Sequence, residues 1–403
     1  MEVLTGLNII DGKGNEPIED GVVVINSEKG IIEYCGRKDE KEMPELDQSK
    51  ARTIDLKGKT IIPGLIDAHI HICFEPSADP FAVLAKESNS ETALKAAEYA
   101  RRTLKAGITT VRDMGGKDYV DLALRDSIRK GQHQGPEILA AGNLLTMTGG
   151  HGWPVGEEVD GEDEGRKGAR KQLKQGADLV KVMATGGVMT KGVEPGSPQL
   201  TEEEIRSAVQ EAHKAGKKAA AHAQGNTGIK NSIRAGIDSV EHGVYLDAEG
   251  VDMMLKSNTY LVPTIAAPYW ISTKGREAGM PENIVQKSDM IREEHVKSFQ
   301  KAYEAGVKIA MGTDAGTPFN QHGNNSYELV LMVENGMSPM DAIIAGTKNS
   351  AELLGILNKV GTIETGKKAD LLILEKSPLK DINNINEINK IYKQGKEVKL
   401  AQS

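Results

Sequence analysis

The feature that most limits the folds open to this chain is an alternation. Eight apolar runs with strand character, at 61–71, 108–113, 137–142, 178–183, 219–223, 239–243, 260–265 and 308–314, are separated by segments with helical periodicity. The helical segments include 89–105, 119–130, 201–215, 226–235, 248–257 and 290–305. "TEEE" at 201–204 is a helix start in which a threonine and a glutamate cap each other's backbone amides. Strand and helix in alternation predict an α/β fold with parallel strands. Eight units in succession favour a (β/α)8 TIM barrel, although an open doubly wound sheet shares the periodicity.

Both ends of the chain read differently. Residues 1–60 and 360–403 are short strand-like runs punctuated by Gly, Asp and Lys-Gly turns, as in "VLTGLNIIDGKG" and "GTIETGKKADLLILEKSP". They are expected to pair into one small β-sandwich domain, leaving 61–359 for the barrel. The least regular stretch, 143–165, reads as a long loop with an acidic run at Glu157, Glu158, Asp160, Glu162, Asp163 and Glu164.

Composition removes several function classes. A net charge of −8 argues against a nucleic-acid partner, which asks for a basic excess. No run approaches the ~20 apolar residues of a membrane helix. The opening "MEVLTGLNIIDGKG" lacks the basic-then-apolar layout of a signal peptide. Two cysteines, Cys35 and Cys73, cannot form a disulfide framework, so a cytoplasmic protein is expected. Self-association is left open.

If the chain is a barrel, its chemistry belongs at the C-terminal ends of the strands. His69 and His71 end the first strand in "IIPGLIDAHIHI". Side chains two apart on a strand point the same way, so the two imidazoles share a face. Lys181 ends the fourth strand, His222 the fifth, His242 the sixth and Asp314 the eighth. Any one of these alone is more often a hydrogen-bonded structural residue. Six at one end of one barrel are hard to explain that way. Cys73, two residues beyond His71, could also reach a metal, but a strand-end cysteine is commonly a small buried hydrophobe.

Lys181 is the odd member, because a protonated lysine between "DLV" and "VM" is costly and ligates poorly. Reaction with CO2 resolves the difficulty, since the carbamate is anionic and bridges two cations as a carboxylate does. Four imidazoles, that bridge and one aspartate suit two divalent metal ions such as Zn2+.

This set of H-x-H, K, H, H and D at the ends of strands one, four, five, six and eight resembles the amidohydrolase superfamily. The segments "PGLIDAHIH" and "GTIETGKKADLLIL" resemble it too. "TTVRDMGG", "TGGHG", "KVMATGGV", "AAHAQG", "SVEHG" and "GTDAG" look like the imidazolonepropionase-related branch. That branch includes Xaa-Pro dipeptidases and carboxypeptidases releasing C-terminal Arg or Lys. The resemblance implies that His69, His71 and Asp314 bind a more buried metal and that His222 and His242 bind a more exposed one. Carboxylated Lys181 would bridge the two. Asp314 would take a proton from a metal-bridging hydroxide and pass it to the leaving group. His151 matches a histidine that polarises the scissile carbonyl in related prolidases. Gln224 stands where some prolidases carry tyrosine, which weighs against strict proline specificity.

Residues outside the metal set carry further expectations. Arg112, at the end of the second strand, is expected to hold a substrate α-carboxylate, with an ion pair to Asp113 or to another strand as the alternative. Tyr245 is a candidate substrate hydrogen-bond donor. The glycine-rich "ATGGVMTKGVEPGSP" at 184–198 could form a mobile lid. If the acidic run rims the pocket, it favours cationic substrates. The expected function is metal-dependent hydrolysis of dipeptides or N-acyl amino acids, with a broad or basic C-terminal residue. An Xaa-Pro dipeptidase and a cyclic-amide or lactone hydrolase of the imidazolonepropionase type are the alternatives.

Overall fold

The structure is a computed structural model that describes residues 1–38, 40, 43, 51–189 and 193–399. Strands of the first part are β1 (Glu2–Ile9), β2 (Ile18–Asn26), β3 (Ile31–Arg37), β4 (Arg52–Asp55) and β5 (Thr60–Pro63). Those of the middle are β6 (Leu65–Ile70), β7 (Ile108–Asp113), β8 (Glu137–Ala140), β9 (Leu144–Thr146), β10 (Gly156–Glu158), β11 (Leu179–Met183), β12 (Lys218–Ala223), β13 (Ser239–His242) and β14 (Tyr260–Val262). The last are β15 (Leu371–Leu374), β16 (Ile388–Lys393) and β17 (Lys396–Glu397). Helices α1 (Pro80–Lys86), α2 (Asn89–Lys105), α3 (Val120–Arg129), α4 (Glu162–Lys174), α5 (Glu202–Lys214), α6 (Asn226–Arg234) and α7 (Ala248–Ser257) follow the strands. The later helices are α8 (Ala266–Lys274), α9 (Glu282–Glu304), α10 (Tyr327–Glu334), α11 (Pro339–Ile344) and α12 (Ser350–Leu353).

Strands from both termini share one mixed sheet in the order β17-β16-β15-β5-β1-β2-β3, with β4 added on β1. It is hydrogen-bonded as one sheet rather than as the two layers of a sandwich. Its ends nevertheless meet: a Cβ on Gly30, in the β2–β3 turn, would lie 2.9 Å from the carbonyl oxygen of Gln394, in the β16–β17 turn. The period-2 alternation of its inner strands serves two cores. Ile61, Leu371 and Ile373 pack within the terminal sheet, while Ile62, Leu372 and Leu374 join the main core.

The middle strands are parallel throughout, in the orders β6-β7-β8 and β10-β9-β11-β12-β13-β14. The alternation therefore produced the α/β arrangement expected of it. Two expectations need correction. The presumed loop 143–165 contains β9 and β10, because Leu144 and Leu145 are buried and carry the backbone into the parallel sheet. The run 308–314 is not a regular strand. Its backbone still serves both neighbours: Ala310 donates to Leu261 O, while Ala68 donates to Met311 O and Asp314 to His69 O. Gly312 explains the close approach, since a Cβ there would sit 2.4 Å from Val262 Cγ1 and 2.8 Å from His69 Cβ. Asp314 follows with φ +60°, which ends regular pairing.

The "TEEE" cap forms as read, with Thr201 and Glu204 each accepting the other's backbone N–H. Among the described residues no helix is long and apolar enough to cross a membrane.

Candidate metal centre

The side chains singled out at strand ends converge. His69 lies in β6 and His71 just beyond it, Lys181 is in β11, His222 in β12 and His242 ends β13. Asp314 Oδ1 is 3.3 Å from His69 Nε2 and 3.4 Å from His71 Nε2. Ring centroids of His69 and His242 are 5.2 Å apart, and those of His222 and His242 are 4.5 Å apart. Donor atoms of His69, His242 and Asp314 all fall within 4.8 Å of one another.

Three of the imidazoles are held from behind. His69 Nδ1 bonds Glu241 Oε2 at 2.8 Å, His71 Nδ1 bonds Gly115 O at 3.0 Å and His242 Nδ1 bonds Thr264 Oγ1 at 2.7 Å. An occupied Nδ1 turns each Nε2 towards the shared centre, the arrangement by which proteins orient metal-ligating histidines. Burial lowers the His71 and His151 imidazoles to about 4, and takes those of His222 and His242 well below their ordinary value. They are neutral near pH 7, the form that offers a lone pair. Burial alone would raise the Asp314 carboxyl, but His69, His71 and Lys181 together hold it well below the usual carboxylate range.

Two of the candidate ligand side chains have a buried atom with no hydrogen-bond partner, Lys181 Nζ and His222 Nε2. Leaving such groups unsatisfied costs about 1–3 kcal/mol each, so they mark where something is to be bound. Burial also lowers the Lys181 amine to about 8. Backbone strain gathers at the same place. His242, Thr264 and Asp314 have φ of +72°, +54° and +60°, a conformation costly for side chains with a Cβ and common at functional sites.

The six open onto one cavity that encloses about 90 Å3, with His151 and Gln224 also on its wall. The His151 ring lies 4.5 Å from that of His222, and Gln224 Oε1 is buried without a hydrogen-bond partner. Three expectations are corrected. Arg112 does not face the cavity: its guanidinium is buried and donates to Ala68 O, Ser239 Oγ and Glu241 Oε1. The inter-strand ion pair is what forms, since Glu241 needs a counter-charge in the core. Tyr245 is turned to the surface and lies off the cavity wall. The acidic run also stands away from it: Glu157 pairs with Lys171, Asp160 holds Thr148, and Glu162, Asp163 and Glu164 sit in the first turn of α4. Cys73 likewise packs in the core, its thiol pushed up by burial. Of the expected lid, Val188 and Met189 line the cavity, whereas 190–192 lie outside the described residues.

Sequence reasoning missed Glu241. It is fully buried, and although burial opposes its ionisation, Arg112 and His69 bring its carboxyl down to about 2. The available signal was a glutamate inside an otherwise apolar strand, directly before a candidate ligand in "SVEHG".

Residues 60–398 match the model of the amidohydrolase family, and the chain belongs to that metal-dependent family of hydrolases. It is 30% identical to ochratoxinase of Aspergillus niger, over 93% of this chain and 81% of that one. It is 27% identical to imidazolonepropionase of Rhizorhabdus wittichii, over 90% of each. A solved Xaa-Pro dipeptidase with methionine bound in its active site matches with a TM-score of 0.90 at 35% identity, covering 99% of this chain and 100% of that one. The resemblance read from the motifs, branch included, agrees with these relatives.

Proposed function

We propose that the chain is a binuclear metal-dependent hydrolase of dipeptides or N-acyl amino acids, acting at the C-terminal end of a (β/α)8 barrel formed by 61–359. Residues 1–60 and 360–403 make up the accompanying β domain. The observation that carries this reading is the convergence of four imidazoles, Asp314 and the partnerless Lys181 Nζ on one cavity. Hydrogen bonds from Ala310 to Leu261 and from Ala68 to Met311 support closure of the barrel on one side. The bond from Asp178 N to Ala140 O supports it on the other.

The donor set fits two ions of the Zn2+ kind, with His69, His71 and Asp314 holding one and His222 and His242 the other. Lys181 would join them as the carbamate, and its lowered pKa leaves the neutral amine that CO2 requires accessible near pH 7. Bound metals lower the pKa of water and polarise a carbonyl. The chain does the rest. Asp314 keeps Oδ1 towards His69 and His71, so Oδ2 takes the proton of the attacking water and delivers it to the departing nitrogen. Water oxygen bonds the carbonyl carbon, the C–N bond breaks and an amine leaves beside a carboxylate. Neutral His151 donates a ring N–H to the oxyanion as it forms. Gln224 Oε1 accepts from a substrate N–H.

The Xaa-Pro reading is favoured by the likeness to an Xaa-Pro dipeptidase over nearly the whole chain. A screen of dipeptides, N-acyl amino acids, lactones and cyclic amides on zinc-loaded protein tests both readings. Release of free amino acids supports the proposal, and a strong excess of Xaa-Pro turnover selects the prolidase reading. Turnover of lactones or cyclic amides alone defeats both.

A further inference from the structure

The geometry points to a substrate that carries large apolar groups, aromatic or branched aliphatic, on both sides of the scissile amide; this inference rests on the hydrolase reading above. Away from the imidazoles, Lys181, Asp314, Gln224 and Thr317, the described cavity wall is apolar. One part of it is an aromatic ladder that begins at a candidate ligand. Phe74 stacks on His71, with ring centroids 4.9 Å apart and planes 13° apart, and Phe81 meets Phe74 edge-on at 5.2 Å. Phe74 is buried, whereas Phe81 is only partly covered and keeps ring surface for an occupant. Another part comes from the α8–α9 hairpin, through Ile271 and Ile291. Met189, from the loop after β11, packs against the same hairpin and lines the cavity with its adaptable thioether.

The ionisable groups of the described wall are its histidines, Lys181 and Asp314, and most of these belong to the metal centre. A substrate guanidinium or carboxylate side chain would lose its water against Phe81, Ile271 and Ile291 with no counter-charge beside it. An apolar side chain gains by the same desolvation. One methylene in such a pocket is worth about 10–200-fold in discrimination, so a whole charged side chain should be strongly disfavoured. The acidic run, which would draw Arg or Lys if it rimmed the pocket, stands off the cavity.

The test is a two-sided series on zinc-loaded protein: Ala-Phe, Ala-Leu, Ala-Arg and Ala-Glu, with the mirror set Phe-Ala, Leu-Ala, Arg-Ala and Glu-Ala. Values of kcat/KM for the Phe and Leu members should exceed those for Arg and Glu by about tenfold or more on each side. L-Phe and L-Leu, as products, should raise the Tm of the loaded protein more than L-Arg and L-Glu do. Phe81→Asp and Ile291→Asp should each shift the ratio towards Arg. Equal or faster turnover of the Arg or Glu members overturns the inference while leaving the hydrolase reading intact. A correctly loaded protein that cleaves no member of either set, no Xaa-Pro dipeptide and neither N-acetyl-Phe nor N-acetyl-Leu defeats the hydrolase reading, and the inference with it.

Discussion

Arg112 takes the second of the two roles its sequence position allowed, the inter-strand ion pair. Its strand-end position suggested a substrate anion, but the guanidinium is spent on Glu241, which in turn orients His69. Glu241→Gln should therefore weaken metal binding about 10–100-fold, measured by chelator competition. Arg112→Met leaves Glu241 buried without its counter-charge and should cost about 3–5 kcal/mol in urea unfolding. Lys181→Ala should abolish amide hydrolysis, with partial recovery on adding short-chain carboxylates that can bridge in place of the proposed carbamate. A fully active Lys181→Ala protein, or metal-loaded crystals showing a bare ammonium, would refute the bridge.

At the scale of elements, the wall made by α8 depends on a partner far along the chain. Glu328, at the start of α10, accepts from the backbone N–H groups of Ile265 and Ala266 at 2.8 and 2.7 Å, capping α8. Burial raises this carboxyl from an ordinary 4.5 to about 8, against the pull of those two amides. The folded state thus binds the Glu328 proton more tightly than the unfolded chain does. Its contribution is complete below about pH 4.5 and is lost as pH rises through about 8. Thermal unfolding of the metal-free protein should therefore lose Tm between those limits, and Glu328→Gln should lose less. An unchanged slope in the variant would show that the carboxyl stays ionised throughout. The sequence offered no hint of this cap, because donor and acceptor lie about sixty residues apart in chain order.

At the scale of the whole molecule, β15 couples the terminal sheet to the core around the site. Leu371 packs into the sheet's own core and Leu372 into the main one. Leu371→Ala and Leu372→Ala should each destabilise by about 2–5 kcal/mol. If the two bodies unfold as one, both variants should shift a single calorimetric transition. Two resolved transitions, each moved by only one of the variants, would show independent units.

Local pattern alone determined a good deal here. The strand–helix alternation, the glycine-punctuated ends and the Thr201–Glu204 cap are set by contacts a few residues apart, and they were legible. So was the candidate set of His69, His71, Lys181, His222, His242 and Asp314, which the fold gathers on one cavity, because a polar side chain ending an apolar strand is a local anomaly. Tertiary structure alone decided what each side chain faces. It turned Arg112 inward to Glu241, stood the acidic run off the cavity, and drew Leu144 and Leu145 into a strand within an expected loop. It also bent 308–314 out of regular pairing through Gly312 and Asp314. Those outcomes depend on charge pairing and close packing between segments remote in the chain, and no local periodicity records them.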